Sequence, residues 1–205
     1  MNNVFEKVFV ISSYGTCERL NDLIPLLNKH SINHQIVISP KKKYFSDYIG
    51  PLWVGSGNNS LISATESIFL NSIIHNYESI CILEDDLFFV DDFDFKNLPV
   101  DWHIINFGYH VCSRIEDKDN NAYSSIKPSD SVIGTHIVSY KKNTYKFIID
   151  NLSLIDGPID LFLNKVIYKN FNSYVFKTPH FYASSYRHYE DDKNFYYKKY
   201  KSSID

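Results

Sequence analysis

The sequence is poor in cysteine, has no excess of basic residues and contains no long apolar run. Its three cysteines, Cys17, Cys81 and Cys112, lie far apart and form no C-x-x-C pair, so neither a disulfide framework nor a zinc knuckle is expected. The formal net charge of −3 gives no positive field of the kind that binds nucleic acid. No run of about 18 apolar residues and no signal-peptide pattern is present. We therefore expect a soluble cytoplasmic protein with reduced thiols, no nucleic-acid partner and no transmembrane segment.

The sequence does contain enough apolar side chains to build one core. Hydrophobic residues make up 44% of the 205 residues, and 16 Tyr and 15 Phe are among them. One core can serve a chain of up to roughly 250 residues before the chain divides into domains. We expect a single domain over residues 1–187, followed by a polar C-terminal tail over residues 188–205.

The hydrophobic pattern predicts an α/β fold with a mixed, mostly parallel sheet flanked by helices. A β-branched run, then apolar residues at helical spacing, then a second short run predict a βαβ opening with parallel strands. Residues 40–59 and 114–128 are polar and are predicted as loops. The predicted strands are Lys7–Ser13, His34–Ser39, Ser79–Leu83, Trp102–Gly108, Ser131–Tyr140 with a break at Gly134, and Ser173–Pro179; the predicted helices are Cys17–His30, Ser60–Asn76, Lys141–Leu152 and Pro158–Asn170.

Three consecutive carboxylates, Glu84, Asp85 and Asp86, come directly after the predicted strand Ser79–Leu83. Ligands of open α/β sheets bind at this edge. Adjacent carboxylates repel one another and gain from a shared divalent cation, which prefers oxygen ligands. Because side chains of an extended segment alternate, we expect Glu84 and Asp86 on one side and Asp85 on the other.

The basic residues near this acidic triplet in the sequence indicate what could compensate its negative charge. The next basic residue along the chain is Lys96, which favours a metal ion rather than an ion pair as the compensating charge. Acidic clusters after strands are also common as the solvated start of a loop, because protein surfaces are rich in charge. The sequence leaves both interpretations open.

Five segments follow one another along the chain, YESICILEDDLFF, DWHIINFG, GTHIVSYKK, GPIDLFL and VFKTPHFYASSY. In this order and spacing they resemble glycosyltransferase family 25, the lipopolysaccharide-type and collagen-type galactosyl- and glucosyltransferases. The likeness runs from about Val8 to Ser185. The resemblance implies a GT-A-like fold and a metal-dependent enzyme, with Mn²⁺ or Mg²⁺ as cofactor. It further implies inverting transfer of a hexose, galactose or glucose, from a nucleotide sugar such as a UDP-hexose to a hydroxyl group of a glycan or protein acceptor.

With this resemblance, the acidic triplet becomes the expected metal and donor site. Asp86 and Glu84 are the expected metal ligands, and both would also contact the donor. Asp85 is expected to contact the donor sugar or the protein itself. An octahedral ion keeps room for an imidazole, for which His180 is the candidate. A histidine beside a strand end is also often purely structural, so His180 has both interpretations.

Inverting transfer needs a carboxylate that removes the proton of the acceptor hydroxyl. Asp160 is the expected base and Asp156 is the second choice. Asp160 follows Pro158 in the first turn of a predicted helix, where an acidic residue also stabilises its own helix.

Three further residues are expected to bind the donor. Arg19, just after the first strand, suits the anionic oxygens of a diphosphate, although a lone arginine at a helix start is also ordinary. Gly134 permits close backbone approach to the sugar, and His136 is expected to contact the donor or the acceptor. A glycine within a strand also fits a β-bulge without a ligand.

Two other functions compete with a transferase. A GT-A-like module that binds nucleotide or glycan without transfer is the alternative, because Ser63 is followed by Ala64 where family members often carry a Ser-His pair. A phosphotransfer or hydrolytic enzyme is less favoured, since bulky residues rather than small ones follow the acidic triplet.

Overall fold

The computed structural model of the chain describes residues 1, 4–13, 17–39, 56–89, 95, 97–109, 111–112, 122–155, 157–177 and 181–183. The helices are α1 (Cys17–Lys29), α2 (Ser56–Ile74), α3 (Lys142–Asn151) and α4 (Ile159–Phe162), with a 3₁₀ turn at Leu152–Leu154 and a π-helical turn at Leu163–Ile167. The strands are β1 (Lys7–Ser13), β2 (His34–Ser39), β3 (Ser79–Glu84), β4 (Leu87–Phe89), β5 (Ile104–Gly108), β6 (Val111–Cys112), β7 (Tyr123–Ser125), β8 (Val132–Ile133), β9 (Ile137–Lys141), β10 (Ser173–Phe176) and β11 (Phe181–Ala183).

Seven of these strands form one sheet in the order β2-β1-β3-β9-β5-β10-β7. Strands β2, β1 and β3 are parallel, as are β5 and β10. Strand β9 is antiparallel to both of its neighbours, β3 and β5, and β7 is antiparallel to β10. Five of the seven strands therefore point the same way. Of the six pairs of neighbouring strands, three are parallel and three are antiparallel. This confirms the predicted fold class, a mixed α/β sheet flanked by helices, although the parallel pairs are not in the majority.

The central strands bury both of their faces. Phe9 of β1 and Ile80 of β3 enter a core with α2, α3 and α4, whereas Val8 and Cys81 enter a second core with α1. Continuous apolar runs are typical of parallel strands that are covered on both sides, so this burial explains why β1 and β3 lack polar alternation. A fully buried aliphatic or aromatic side chain contributes roughly 1.5–3 kcal/mol to stability.

The opening βαβ unit follows the prediction. Strands β1 and β2 pair in parallel over the whole length of β2, from Val8 opposite His34 to Ser13 opposite Ser39. Helix α1 turns Leu20, Leu23 and Leu27 into the core. The predicted break at Gly134 is also present, because this residue lies between β8 and β9.

Several element boundaries differ from the predictions. Helix α2 begins at Ser56, four residues before the predicted Ser60, and β3 continues to Glu84. The prediction of a loop over residues 114–128 was wrong for β7, which pairs with β10 at the edge of the sheet. Strands β4 and β11 also pair with each other. These short strands are held by their partners rather than by a pattern of their own.

Part of the predicted organisation falls outside the described residues. The predicted C-terminal tail and most of the predicted loop over residues 40–59 lie there. The boundary between domain and tail therefore stays a prediction. Within the ranges that the structure describes, every helix is too short or too polar to span a membrane.

Candidate active site

The acidic triplet lies at the carboxyl ends of the parallel strands β1 and β3. Ile11 of β1 pairs with Glu84 of β3, so Ser12 comes beside Asp85. The Ser12 hydroxyl donates to Asp85 Oδ2 at 2.7 Å, and Arg19 Nη1 donates to Asp85 Oδ1 at 3.3 Å. Asp85 is only 6% exposed. It is thus tied to β1 and α1, and its neighbour Asp86 approaches the same nitrogen of Arg19, at 3.8 Å. The expected placement of Asp85 on the side opposite to Glu84 and Asp86 stays a prediction.

Glu84 is held from the other side by the residues that lead into β9. Its backbone N–H donates to the carbonyl oxygen of His136 at 3.0 Å. The Thr135 hydroxyl donates to Glu84 Oε1 at 2.5 Å, and Nδ1 of His136 lies 3.3 Å from Glu84 Oε2. The insertion of the antiparallel strand β9 beside β3 brings these residues to the triplet.

Asp86 lies between these two groups of contacts. Its Oδ2 is 3.8 Å from Arg19 Nη1. Its Oδ1 is buried and has no hydrogen-bond partner among the described residues. Glu84, Asp86 and His136 each offer one ligand atom, and the three atoms lie within 4.8 Å of one another. The arrangement can hold a metal ion.

Burial and the neighbouring carboxylates shift the pKa values of two residues of this cluster, Asp86 and His136. Burial and, after it, the charge of Glu84 raise the pKa of Asp86 to about 6, against the opposing effects of His136 and Arg19. Burial by itself lowers the pKa of His136, but the hydrogen bond and charge of Glu84, with the charges of Asp86 and Asp160, raise it above its usual value. Both shifts indicate that a further positive charge would be favourable here.

Arg19 supplies a positive charge near the acidic triplet that the spacing of charges along the chain did not predict. Along the chain the first basic residue after the triplet is Lys96, but in space Arg19 reaches both Asp85 and Asp86. The ion pair with Arg19 therefore compensates part of the negative charge of the triplet, which was expected to be compensated by a metal ion. Within the described residues, Asp86 Oδ1 stays buried without a hydrogen-bond partner.

Asp160 and Gly134 lie next to this cluster. Asp160 is in the first turn of α4, as predicted, and its Oδ2 accepts a hydrogen bond from the backbone N–H of Gly134 at 3.2 Å. Its Oδ1 accepts one from the N–H of Leu161 at 2.8 Å. Gly134 has a φ of 105°, a conformation that favours glycine. The predicted base is thereby oriented toward the segment that carries His136.

The structure brings most of the predicted site residues to one edge of the sheet. His180 and Asp156 lie outside the described residues. The imidazole that meets the two carboxylates is that of His136, which the sequence analysis assigned to the donor or the acceptor. The predicted residues at this edge are Arg19, Glu84, Asp85, Asp86, Gly134, His136 and Asp160.

Sequence reasoning missed the residues that support the site. Ser12 and Thr135 contact the acidic triplet, and Asn106 contacts Gly134. Ser12 lies inside the predicted strand Lys7–Ser13, and Thr135 lies between Gly134 and His136, but hydroxyl side chains are too common in such positions to give a signal. Asn106 had a signal, because it is a polar residue inside an apolar strand.

Comparison with known proteins supports the fold. No protein-family model and no curated protein sequence matches the chain. The structure resembles a glycosyltransferase involved in the glycosylation of the major capsid of PBCV-1, with a TM-score of 0.51, 9% identity, and coverage of 88% of this chain and 93% of that chain. It also resembles A197 from STIV, with a TM-score of 0.50, 13% identity, and coverage of 82% and 80%. At such identities the likeness shows the fold alone, and membership of glycosyltransferase family 25 stays a prediction.

Proposed function

We propose that the protein is a metal-dependent glycosyltransferase related to family 25. It would transfer a hexose, galactose or glucose, from a nucleotide sugar to a hydroxyl group of a glycan or protein acceptor with inversion. The observation that carries this proposal is the convergence of Glu84, Asp86 and His136 at the carboxyl edge of a sheet. A glycosyltransferase shares the fold of that sheet, which supports the assignment.

The cluster fits a divalent cation such as Mn²⁺ or Mg²⁺. The partnerless, buried Oδ1 of Asp86 is a ready ligand atom. Two carboxylates and an imidazole form a donor set that Mn²⁺ accepts. When bound, the ion supplies positive charge against the negative charge that develops on the leaving diphosphate. Glu84, Asp86 and His136 would hold it.

Arg19 would contribute to diphosphate binding. Its side chain is 28% exposed, and its Nη1 lies near the carboxylates of Asp85 and Asp86. A guanidinium group offers several N–H donors in a plane, so those not used by the carboxylates suit phosphate oxygens. Asp85 fixes the position of Arg19 rather than contacting the donor.

Asp160 would accept the proton of the attacking acceptor hydroxyl. Its carboxylate is half-buried beside Gly134 and is oriented by two backbone N–H groups. A general base must be held within reach of the hydroxyl whose proton it removes, and these two bonds fix the position of the carboxylate. The donor sugar would then lie near Gly134 and His136, two residues that were expected to bind the donor and that lie close to this carboxylate.

A nucleotide-release assay tests the proposal. UDP-, GDP- and CMP-sugars are incubated with the protein with and without Mn²⁺, because hydrolysis of a donor is detectable without the acceptor. We expect Mn²⁺-dependent release of UDP from a UDP-hexose and its loss in Glu84→Gln. The matched control is Glu78→Gln, a 73% exposed residue just before the other end of β3, which should retain activity.

Two outcomes would separate this proposal from its alternatives. Stabilisation by UDP with Mn²⁺ but no nucleotide release from any sugar nucleotide would indicate a binding module without transfer. Release that does not depend on a divalent ion, or that survives in Glu84→Gln, would contradict a metal-dependent transferase.

A further inference from the structure

Asn106 is a fully buried polar residue in the middle of the sheet. It has no exposed surface, and its neighbours along β5 are the apolar residues Ile105 and Phe107. Burial of a carboxamide is costly unless hydrogen bonds replace those that it makes with water. The position of Asn106 in an otherwise apolar strand therefore requires specific partners.

The partners of Asn106 lie on three different segments. Its Nδ2 donates to the carbonyl oxygen of Gly134 at 2.9 Å and to the hydroxyl of Tyr168 at 3.3 Å. Its Oδ1 accepts a hydrogen bond from the backbone N–H of Gly108 at 3.1 Å. The side chain thus joins β5, the turn before β9 and the end of the π-helical turn.

The bond to Gly134 reaches the candidate metal site. Both backbone polar groups of Gly134 are bonded to side chains, the N–H to Asp160 and the carbonyl to Asn106. The next two residues, Thr135 and His136, are the ones that contact Glu84. Whatever fixes Gly134 therefore also fixes the approach of these two side chains to Glu84.

The hydrogen-bond ladder between β5 and β9 is irregular at this point. The ladder alone therefore does not fix the position of the turn that contains Gly134. The pairing of β5 with β9 shifts between Asn106 and Gly108. At Gly108 an added Cβ would lie 2.6 Å from Ile137 Cγ2, so the two strands are in close contact there. A β-bulge of this kind commonly re-aims a side chain next to a functional site.

We infer that Asn106 is a positioning residue of the candidate metal site. Its carboxamide holds the Gly134 carbonyl and thereby keeps Thr135 and His136 against Glu84, with His136 oriented toward Asp86. This inference rests on the proposed function, because it assigns Asn106 a role toward the ion that Glu84, Asp86 and His136 would bind. Partners that orient metal ligands commonly affect metal affinity as well as stability.

The test compares two variants by calorimetric titration with Mn²⁺, at a temperature well below the unfolding midpoint of each. Asn106→Leu has a side chain of similar size without hydrogen-bonding groups, and we expect its Mn²⁺ affinity to fall on the order of tenfold. The matched control, Tyr168→Phe, removes one acceptor of Asn106 but leaves its bond to Gly134. It should bind Mn²⁺ as the unmodified protein does, even if its unfolding midpoint is lower.

The outcomes distinguish this inference from the proposed function. If the unmodified protein binds no Mn²⁺, the metal-dependent function and this inference both fail. If the unmodified protein and folded Asn106→Leu bind Mn²⁺ equally, only the role of Asn106 is overturned. If Asn106→Leu does not fold, Asn106→Asp replaces it, since it retains the acceptor for Gly108 and loses the amide donor to Gly134. Unchanged affinity in folded Asn106→Asp would also contradict the inference.

Discussion

Replacement of Asp86 by asparagine should stabilise the metal-free protein and remove its response to Mn²⁺. Burial and the neighbouring Glu84 raise the pKa of Asp86 from 3.8 to about 6. A raised carboxyl pKa means that the folded protein holds this proton more tightly than the unfolded chain does. Ionisation of Asp86 therefore costs stability as the pH rises from about 4 through about 6, and this cost persists at higher pH.

The expected gain in the free energy of unfolding of Asp86→Asn follows from the pKa shift of Asp86. Each pKa unit corresponds to about 1.4 kcal/mol, so a rise from 3.8 to about 6 corresponds to roughly 3 kcal/mol. The side chain is 23% exposed, so solvent screening lowers this value to about 2 kcal/mol. The attraction to Arg19, whose Nη1 lies 3.8 Å from Asp86, lowers the pKa of Asp86 and is already contained in the value of about 6. Asp86→Asn should thus be more stable by about 2 kcal/mol near pH 8 and by almost nothing below pH 4.

Urea unfolding in EDTA over this pH range measures the difference between Asp86→Asn and the unmodified protein. The control is Asp150→Asn, which removes an exposed carboxylate 2.8 Å from Lys146 and should change stability by less than about 0.5 kcal/mol. With Mn²⁺ present, the unmodified protein should gain stability and Asp86→Asn should not. If Asp86→Asn is less stable in EDTA near pH 8, or its difference does not grow with pH, the reasoning about burial of Asp86 is refuted.

Three further substitutions test the surroundings of the site. Ser12→Ala removes the hydroxyl that donates to buried Asp85 at 2.7 Å, and urea unfolding should show a loss of about 1–3 kcal/mol; no loss would mean that water replaces the hydroxyl. Gly108→Ala places a Cβ 2.6 Å from Ile137 Cγ2 and should cost about 1–3 kcal/mol by the same measurement, unless β9 shifts freely. Asp160→Asn should abolish hexose transfer but retain Mn²⁺ binding; a parallel loss of Mn²⁺ affinity would contradict its role as a base.

The strands that the sequence predicted well are those whose own residues carry a hydrophobic pattern and a turn signal at the end. Strands β1 and β2 have the predicted bounds, because each is a short apolar or β-branched run that ends at polar turn residues. Strands β7, β4 and β11 have only three residues each and are held by pairing with distant segments. A strand of that kind carries no periodicity of its own, so its sequence did not predict it.

The same distinction applies to the site. The acidic triplet was visible because its members are consecutive and follow a buried strand. The pairing of Arg19 with Asp85 joins residues 66 positions apart and required the fold. The approach of His136 to Glu84 depends on β9 lying antiparallel beside β3, with Ile137 opposite Leu83. Neither that strand order nor that register follows from composition or spacing.

The most direct test of the central claim is a crystal structure of the protein with Mn²⁺ and UDP, with anomalous diffraction measured at the manganese edge. The account predicts an anomalous peak bonded to carboxylate oxygens of Glu84 and Asp86 and to the imidazole of His136, with Arg19 near the diphosphate. The absence of a manganese peak at these three side chains, with Arg19 turned onto Asp86 Oδ1 instead, would contradict it.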